Sequence, residues 1–112
     1  MIDGAMLVGS EARQAAARFQ SQDPASGQPL SPDFSSATAE DVAQACALAA
    51  GAAPAFGASD PESRAVFLET IASEIEAIGD DLIVRAMQES GLPRARLEGE
   101  RGRPTGQLRL FA

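Results

Sequence analysis

The 112-residue sequence contains no histidine, lysine, asparagine, tyrosine or tryptophan, and its single cysteine is Cys46. These absences remove the most common general base, the lysine nucleophile that forms Schiff bases and the asparagine side chain that stabilises an oxyanion. Metal sites built from histidines or from several cysteines are also excluded. One cysteine cannot form an intrachain disulfide, so nothing in the sequence indicates an oxidising compartment.

The charge balance argues against two classes of partner. All nine basic residues are arginines, and the sixteen acidic residues give a net charge of −7. Since an acidic surface repels phosphate groups, we expect the protein to bind neither nucleic acid nor an anionic membrane. The first ten residues lack the basic region of a signal peptide, and no apolar run approaches the ~20 residues of a membrane span. We expect a soluble, cytoplasmic protein.

The apolar residues predict a thin core. They make up 45% of the sequence, but many are alanines and only five phenylalanines supply aromatic bulk. Alanine favours helix while burying little area. A chain of this length forms one domain at most, and many of its apolar positions would suit packing against a larger surface.

The pattern over residues 1–36 predicts extended chain with a short β-hairpin. Residues 18–22 alternate weakly, D-P-A-S-G at 23–27 has the composition of a turn, and residues 28–30 would return as the second strand. The alanines at 15–17 favour helix instead, and residues 31–38 are interpreted as a polar linker.

Helices are predicted over residues 38–112. Thr38 followed by Glu40 and Asp41 predicts a helix start, and the helix would run to Ala53, ended by Pro54 and Gly57. Its apolar stripe consists of Val42, Ala45, Cys46, Ala49 and Ala53, with Phe56 just beyond.

The next helix would begin at Asp60-Pro61-Glu62. Gly79 would end it and Asp80 would cap another, which Gly91-Leu92-Pro93 would terminate. The apolar stripe of the first of these two helices is Phe67, Leu68, Ile71, Ile75 and Ile78.

A last helix is predicted after Pro93. Pro104 would lie inside it, and an interior proline costs ~3 kcal/mol because it removes a hydrogen-bond donor and clashes with the preceding turn. We therefore expect a kink or break near Gly102.

No residue is predicted to be catalytic, to bind a cofactor or to bind a metal. Cys46 falls on an Ala/Val stripe, where a cysteine behaves as a small hydrophobe. Glu98 and Glu100 are expected to form ion pairs with neighbouring arginines on a solvated helix face, although an anion-binding patch is the alternative for those arginines. Gly99, Gly102 and Gly106 match neither a dinucleotide fingerprint nor a P-loop.

Three stretches resemble a known family. The first is E-S-G-L-P-R-A-R-L-E-G-E-R-G-R-P-T-G-Q-L-R-L-F-A at the end of the sequence, the second is R-A-V-F-L-E-T-I-A-S-E-I-E-A-I-G-D before it, and the third is the D-P-A-S-G turn. All three are similar to the N-terminal region of NAD(P)-dependent aldehyde dehydrogenases. The resemblance is greatest to the branch that oxidises 2-oxoglutarate semialdehyde. Pro104 departs from the family motif, which has threonine there.

The resemblance implies a mainly α structure with a short N-terminal β-hairpin, part of the cofactor-binding domain of an α/β enzyme. We expect residues 1–112 to be the N-terminal segment of an oligomeric dehydrogenase whose catalytic domain is absent here and to be inactive alone. NAD or NADP would be bound by the full-length enzyme, not by this segment. The alternative is a stand-alone acidic helical module that binds a helical partner surface.

Overall fold

The computed structural model describes residues 2–112, which form two antiparallel strand pairs followed by four helices. This confirms the predicted fold class, mainly α with short N-terminal strands. The elements are β1 (Met6–Val8), β2 (Glu11–Arg13), β3 (Arg18–Gln22), β4 (Pro29–Ser35), α1 (Ala39–Gly57), α2 (Pro61–Ala77), α3 (Asp80–Ser90) and α4 (Arg94–Phe111). They divide into two compact units. The first contains residues 2–22 and 28–58, and the second contains residues 23–27 and 59–112.

Two hairpins occur in the first unit where the sequence predicted one. β1 pairs with β2 through Met6↔Arg13 and Val8↔Glu11, across a turn in which Gly9 has a φ of 62°. This pair was not predicted, because the apolar run before Gly9 is short and its partner strand carries two charged residues. The alanines at 15–17 form no helix.

The second hairpin extends further than its sequence indicates. β3 pairs with β4 from Gln22↔Pro29 to Arg18↔Ser35, with an irregularity between Phe19 and Ser21. The prediction of a polar linker from residue 31 is therefore wrong as far as Ser35. The Phe19 and Phe34 rings stack at 5.7 Å, and the irregular register accommodates the proline at position 32, which has no donor for a regular ladder.

α1 begins where the sequence places it. The Asp41 N–H donates to Thr38 Oγ1 (3.1 Å) and the Thr38 N–H donates to Asp41 Oδ2 (2.9 Å), which completes a capping box. The predicted end at Ala53 is wrong, because the helix continues to Gly57. Pro54 lies in the exposed last turn, and the Ala58 N–H donates to Pro54 O.

The helix boundaries of the second unit follow their predicted signals closely. The Ser63 N–H donates to Asp60 Oδ1 (2.8 Å), and Pro61 occupies the first helical turn of α2. Gly79 separates α2 from α3 with a φ of 64°. The predicted cap at Asp80 is wrong, because Gly79 holds the N-cap position without a side-chain hydrogen bond and the Asp80 carboxylate accepts from Arg94 instead. Gly91 ends α3 in the left-handed conformation, with its N–H donating to Met87 O, so the predicted glycine stop is confirmed.

α4 runs from Arg94 to Phe111 with Pro104 inside it, so the predicted break near Gly102 is wrong, while a kink there stays a prediction. Pro104 is exposed, which leaves its ring outside the packed face, whereas the next residue, Thr105, is 2% exposed. The Thr105 hydroxyl lies within donating distance of the carbonyls of Arg101 and Gly102. Packing of α4 against α2 thus holds the helix together around the proline.

The core is as thin as the composition predicts. In the part of the chain that the structure describes, the buried hydrophobic residues are Val8, Ala72 and Ile83, and Thr105 is the buried polar residue. Ala72 and Thr105 belong to the pair of helices, α2 and α4, that pack most extensively in the second unit. The predicted α2 stripe is partly wrong, because Phe67 and Ile78 are exposed and Ala72 is the residue that is fully buried.

Candidate functional site

The acidic residues with the clearest interactions cap helices. Hydrogen bonds from the Thr38 side chain and backbone lower the pKa of Asp41, and those from the Ser63 side chain and backbone lower the pKa of Asp60. Both carboxylates are therefore held ionised, already accepting the helix N-terminal donors. A group of this kind serves as a cap and is a poor proton acceptor at neutral pH.

Two arginines near the start of α4 form ion pairs with acidic residues. Arg94 pairs with Asp80 at 2.7 Å and with Glu98 at 3.6 Å, and Arg96 pairs with Glu100 at 3.1 Å. Hydrogen bonding to Asp80 raises the pKa of Arg94. The structure thus favours the solvated, ion-paired helix face over the anion-binding patch, as predicted for Glu98 and Glu100.

A cross-helix ion pair joins α4 to α2. Both Arg109 nitrogens Nη1 and Nη2 donate to the Glu76 carboxylate, at 2.6 and 2.8 Å. This fork lowers the pKa of Glu76 to about 2, chiefly through hydrogen bonding with Arg109. Nearby, Arg101 donates to the Gly79 carbonyl at 3.2 Å. No sequence pattern predicts the Glu76–Arg109 pair, because its members are 33 residues apart.

Cys46 lies mid-helix in α1, on the predicted stripe, but the expectation that it packs there as a small hydrophobe is wrong within the described residues. Cys46 is exposed, and no residue of α1 is buried. The neighbouring stripe is exposed because the first unit supplies nothing to cover it. A reactive thiolate needs a cationic partner or helix N-terminus, and Cys46 lies in the uncharged middle of the helix.

The glycines of α4 do not form a phosphate-binding loop. Gly99, Gly102 and Gly106 all lie inside α4, whereas a phosphate-binding glycine loop joins a strand to a helix N-terminus. The N-termini of α1 and α2 are already occupied by the side chains of Thr38 and Asp60. The absence of catalytic and cofactor-binding residues stays a prediction.

An open cavity of about 340 Å³ lies along α4, lined by Glu100, Arg103, Pro104 and Gln107. Its lining contains no nucleophile and no pair of carboxylates. Across residues 2–112 no three or more acidic or cysteine side chains gather where they could hold a metal ion. Over the same range, no helix has the length and apolar character to cross a membrane.

The exposed apolar surface is therefore the feature that best indicates a function. In the first unit, Val42 and Phe56 are 54% and 53% exposed on α1, and Phe19 is 56% exposed on β3. In the second unit, Leu110 and Phe111 are 73% and 75% exposed in the last turn of α4. Exposed apolar side chains gathered on helices are typical of surfaces that bind another polypeptide.

Comparison with known proteins identifies the family. The model of the aldehyde dehydrogenase family matches residues 11–112. The chain is similar to "Alpha-ketoglutaric semialdehyde dehydrogenase 2" of Azospirillum brasilense, with 51% identity over 99% of this chain and 22% of the relative. It is also similar to "Alpha-ketoglutaric semialdehyde dehydrogenase" of Acinetobacter baylyi, with 48% identity over 76% of this chain and 16% of the relative. The chain thus spans about a fifth of the length of these curated relatives.

Proposed function

Because this chain belongs to the aldehyde dehydrogenase family, we propose that it forms the N-terminal part of an NAD(P)-dependent dehydrogenase that oxidises 2-oxoglutarate semialdehyde to the corresponding dicarboxylate. The observation that carries the proposal is the 51% identity over 99% of the chain to a protein named for that aldehyde. In this role the enzyme is a cytoplasmic oligomer.

The proposed contribution of residues 1–112 is structural. The carboxylates with lowered pKa values cap helices or pair with arginine. The helix that carries the thiol contains no basic residue, and the glycines of α4 do not form a phosphate loop. Hydride transfer, the cysteine nucleophile and the cofactor site would therefore be supplied by the rest of the polypeptide.

The first test is whether the purified chain has activity. We expect no formation of reduced nicotinamide when it is incubated with 2-oxoglutarate semialdehyde and either NAD or NADP, measured by absorbance. The Azospirillum brasilense relative serves as the positive control. Aldehyde-dependent NAD(P)H formation by the 112-residue chain would contradict the structural role.

The second test supplies the missing part. In a chimera, this chain replaces the matched 22% of the Azospirillum brasilense relative. We expect the chimera to oxidise 2-oxoglutarate semialdehyde with a turnover within about tenfold of the relative, a loss of about 1.4 kcal/mol in transition-state stabilisation at most. An insoluble or inactive chimera would contradict the proposed function.

A further inference from the structure

α1 combines two properties that conflict in a helix facing water. None of its residues is buried, and from Val42 to Gly57 it carries no aspartate, glutamate, lysine or arginine. Its only charged residues are Glu40 and Asp41 in the first turn. This uncharged stretch occurs in a chain whose net charge is −7. A helix that is apolar on all sides is typical of a protein interior.

The first unit partly covers one side of α1, where Leu48 is still 47% exposed. Arg13 Nη1 donates to Gln44 Oε1 at 2.8 Å and lies 3.8 Å from Asp41 Oδ1. Leu48 is on the same side, since its Cδ1 lies 3.0 Å from where a Cβ on Gly9 would be. Asp41, Gln44 and Leu48 are spaced by three and four residues and so share one face of the helix.

A second face of α1 has no such cover. Val42, Cys46, Ala49 and Ala53, again spaced by three and four residues, form this docking face, and all four are exposed. Their side chains are short, so a packed partner can approach the helix backbone closely. The docking face offers no ionic contact, and its partner must therefore also be apolar.

We infer that the docking face binds the remainder of the dehydrogenase polypeptide, an inference that rests on the proposed function. The identity to the Azospirillum brasilense relative extends over 99% of this chain, which includes α1, and the matched stretch is 22% of that relative. The other four fifths are an intramolecular partner of sufficient size. A second copy of this chain is disfavoured, because two chains of net charge −7 repel each other.

The test uses Cys46, the chain's sole cysteine, as a reporter on the docking face. Labelling by N-ethylmaleimide is followed by mass spectrometry of the peptide that contains Cys46, in the free chain and in the chimera with the Azospirillum brasilense relative. We expect rapid labelling in the free chain and a rate lower by about tenfold or more in the chimera, because labelling then requires local opening. Equal rates in an active chimera would overturn the docking face and leave the proposed function standing.

A pair of variants gives a second readout. Ala49→Glu places a charge on the docking face, and Gln44→Glu places the same charge on the side that faces Arg13. We expect Ala49→Glu to lower the melting temperature and activity of the chimera while leaving the free chain unchanged, and Gln44→Glu to change neither protein.

Other outcomes are equally decisive. If Ala49→Glu is as well tolerated in the active chimera as Gln44→Glu, the docking face is refuted. A dimeric free chain in light scattering, with Cys46 already protected, would assign the face to a second copy and overturn the proposal. An insoluble or inactive chimera would withdraw both the proposed function and the docking face that rests on it.

Discussion

Two glycines with the same backbone conformation are held there for different reasons. Gly4 and Gly27 have φ values of 73° and 70°, a region that L side chains rarely adopt. A Cβ on Gly4 would lie 1.9 Å from the backbone oxygen of Asp33, whereas one on Gly27 would meet nothing within 4 Å. Gly4 O also accepts a hydrogen bond from the Ser35 N–H at 2.8 Å. Gly4 is thus required by both conformation and space, and Gly27 by conformation alone.

Alanine substitutions separate these two causes. We expect Gly27→Ala to lower the free energy of unfolding by ~1 kcal/mol, since a left-handed alanine costs roughly 1–2 kcal/mol. Gly4→Ala should lower it by a further ~1–3 kcal/mol, because backbone must move to relieve the overlap. Urea unfolding of both variants, followed by circular dichroism, measures the difference. Equal losses would show that Asp33 does not crowd Gly4 in solution.

The Glu76–Arg109 fork gives the chain a pH-dependent contribution to stability. The pKa of Glu76 is lowered from 4.5 to about 2 in the folded chain. Because the folded pKa is the depressed one, the stabilisation is present above pH 4.5 and is lost as the pH falls toward 2. Both side chains are more than 40% exposed, so solvent and salt screen the pair.

A carboxyl NMR titration measures this pKa directly. We expect Glu76 to titrate near 2 in the native sequence and near its ordinary 4.5 in Arg109→Gln. Arg96→Gln is the matched control, since it removes an arginine that pairs with Glu100 within α4 instead. An unchanged Glu76 titration in Arg109→Gln would mean that the fork does not form in solution.

At the scale of helices and strands, three capping signals predict helix ends correctly, whereas the two interior prolines, Pro54 and Pro104, do not end their helices. Thr38, Asp60 and Gly91 mark helix ends through hydrogen bonds to residues at most four positions away, so the sequence contains the whole interaction. The ion pairs of Arg94 and Arg96 with acids four residues on were predictable for the same reason.

The features that the sequence did not reveal depend on a distant partner. Strand β1 and the second half of β4 exist because another strand pairs with them, which a short or proline-containing segment does not reveal. Ala72 is fully buried because α4 packs there, while the bulkier Phe67 on the same helix is half exposed. The Glu76–Arg109 pair likewise depends on how two helices pack.

Pro104 makes α4 less stable than its packing would allow. An interior proline removes one helical hydrogen bond and costs ~3 kcal/mol relative to alanine. Since Pro104 is exposed, its replacement creates no cavity. We therefore expect Pro104→Ala to raise the free energy of unfolding by ~1–3 kcal/mol and to raise the helical signal, both measured by circular dichroism.

Pro61→Ala is the control for this prediction. Pro61 occupies the first turn of α2, where its missing N–H has no helical partner in any case. We expect this variant to be neutral or slightly less stable than the native chain. A Pro104→Ala chain no more stable than Pro61→Ala would indicate that the packing of α4 already offsets the full cost of the proline.

At the scale of the whole molecule, the helices are long while the number of buried hydrophobic residues is small. α4 has eighteen residues and α1 has nineteen, yet the described chain buries only three hydrophobic residues. Helices of this length gain most of their stability from packing of an apolar face. This small core favours the proposal that the chain is the N-terminal part of a longer enzyme, since the matched stretch is 22% of the Azospirillum brasilense relative.

Unfolding of the free chain distinguishes this interpretation from a self-contained helical module. The dependence of the unfolding free energy on urea scales with the surface exposed on unfolding and is ~1–3 kcal/mol/M for small proteins. Because so few residues are buried, we expect a broad transition with a slope at or below ~1 kcal/mol/M.

The native chain should also enhance the fluorescence of an apolar dye, which binds the exposed faces. In the chimera with the Azospirillum brasilense relative, dye binding should fall and the transition should sharpen. A steep, cooperative transition of the free chain without dye binding would instead support a module that buries its own helices, since two-state unfolding is typical of a complete small domain.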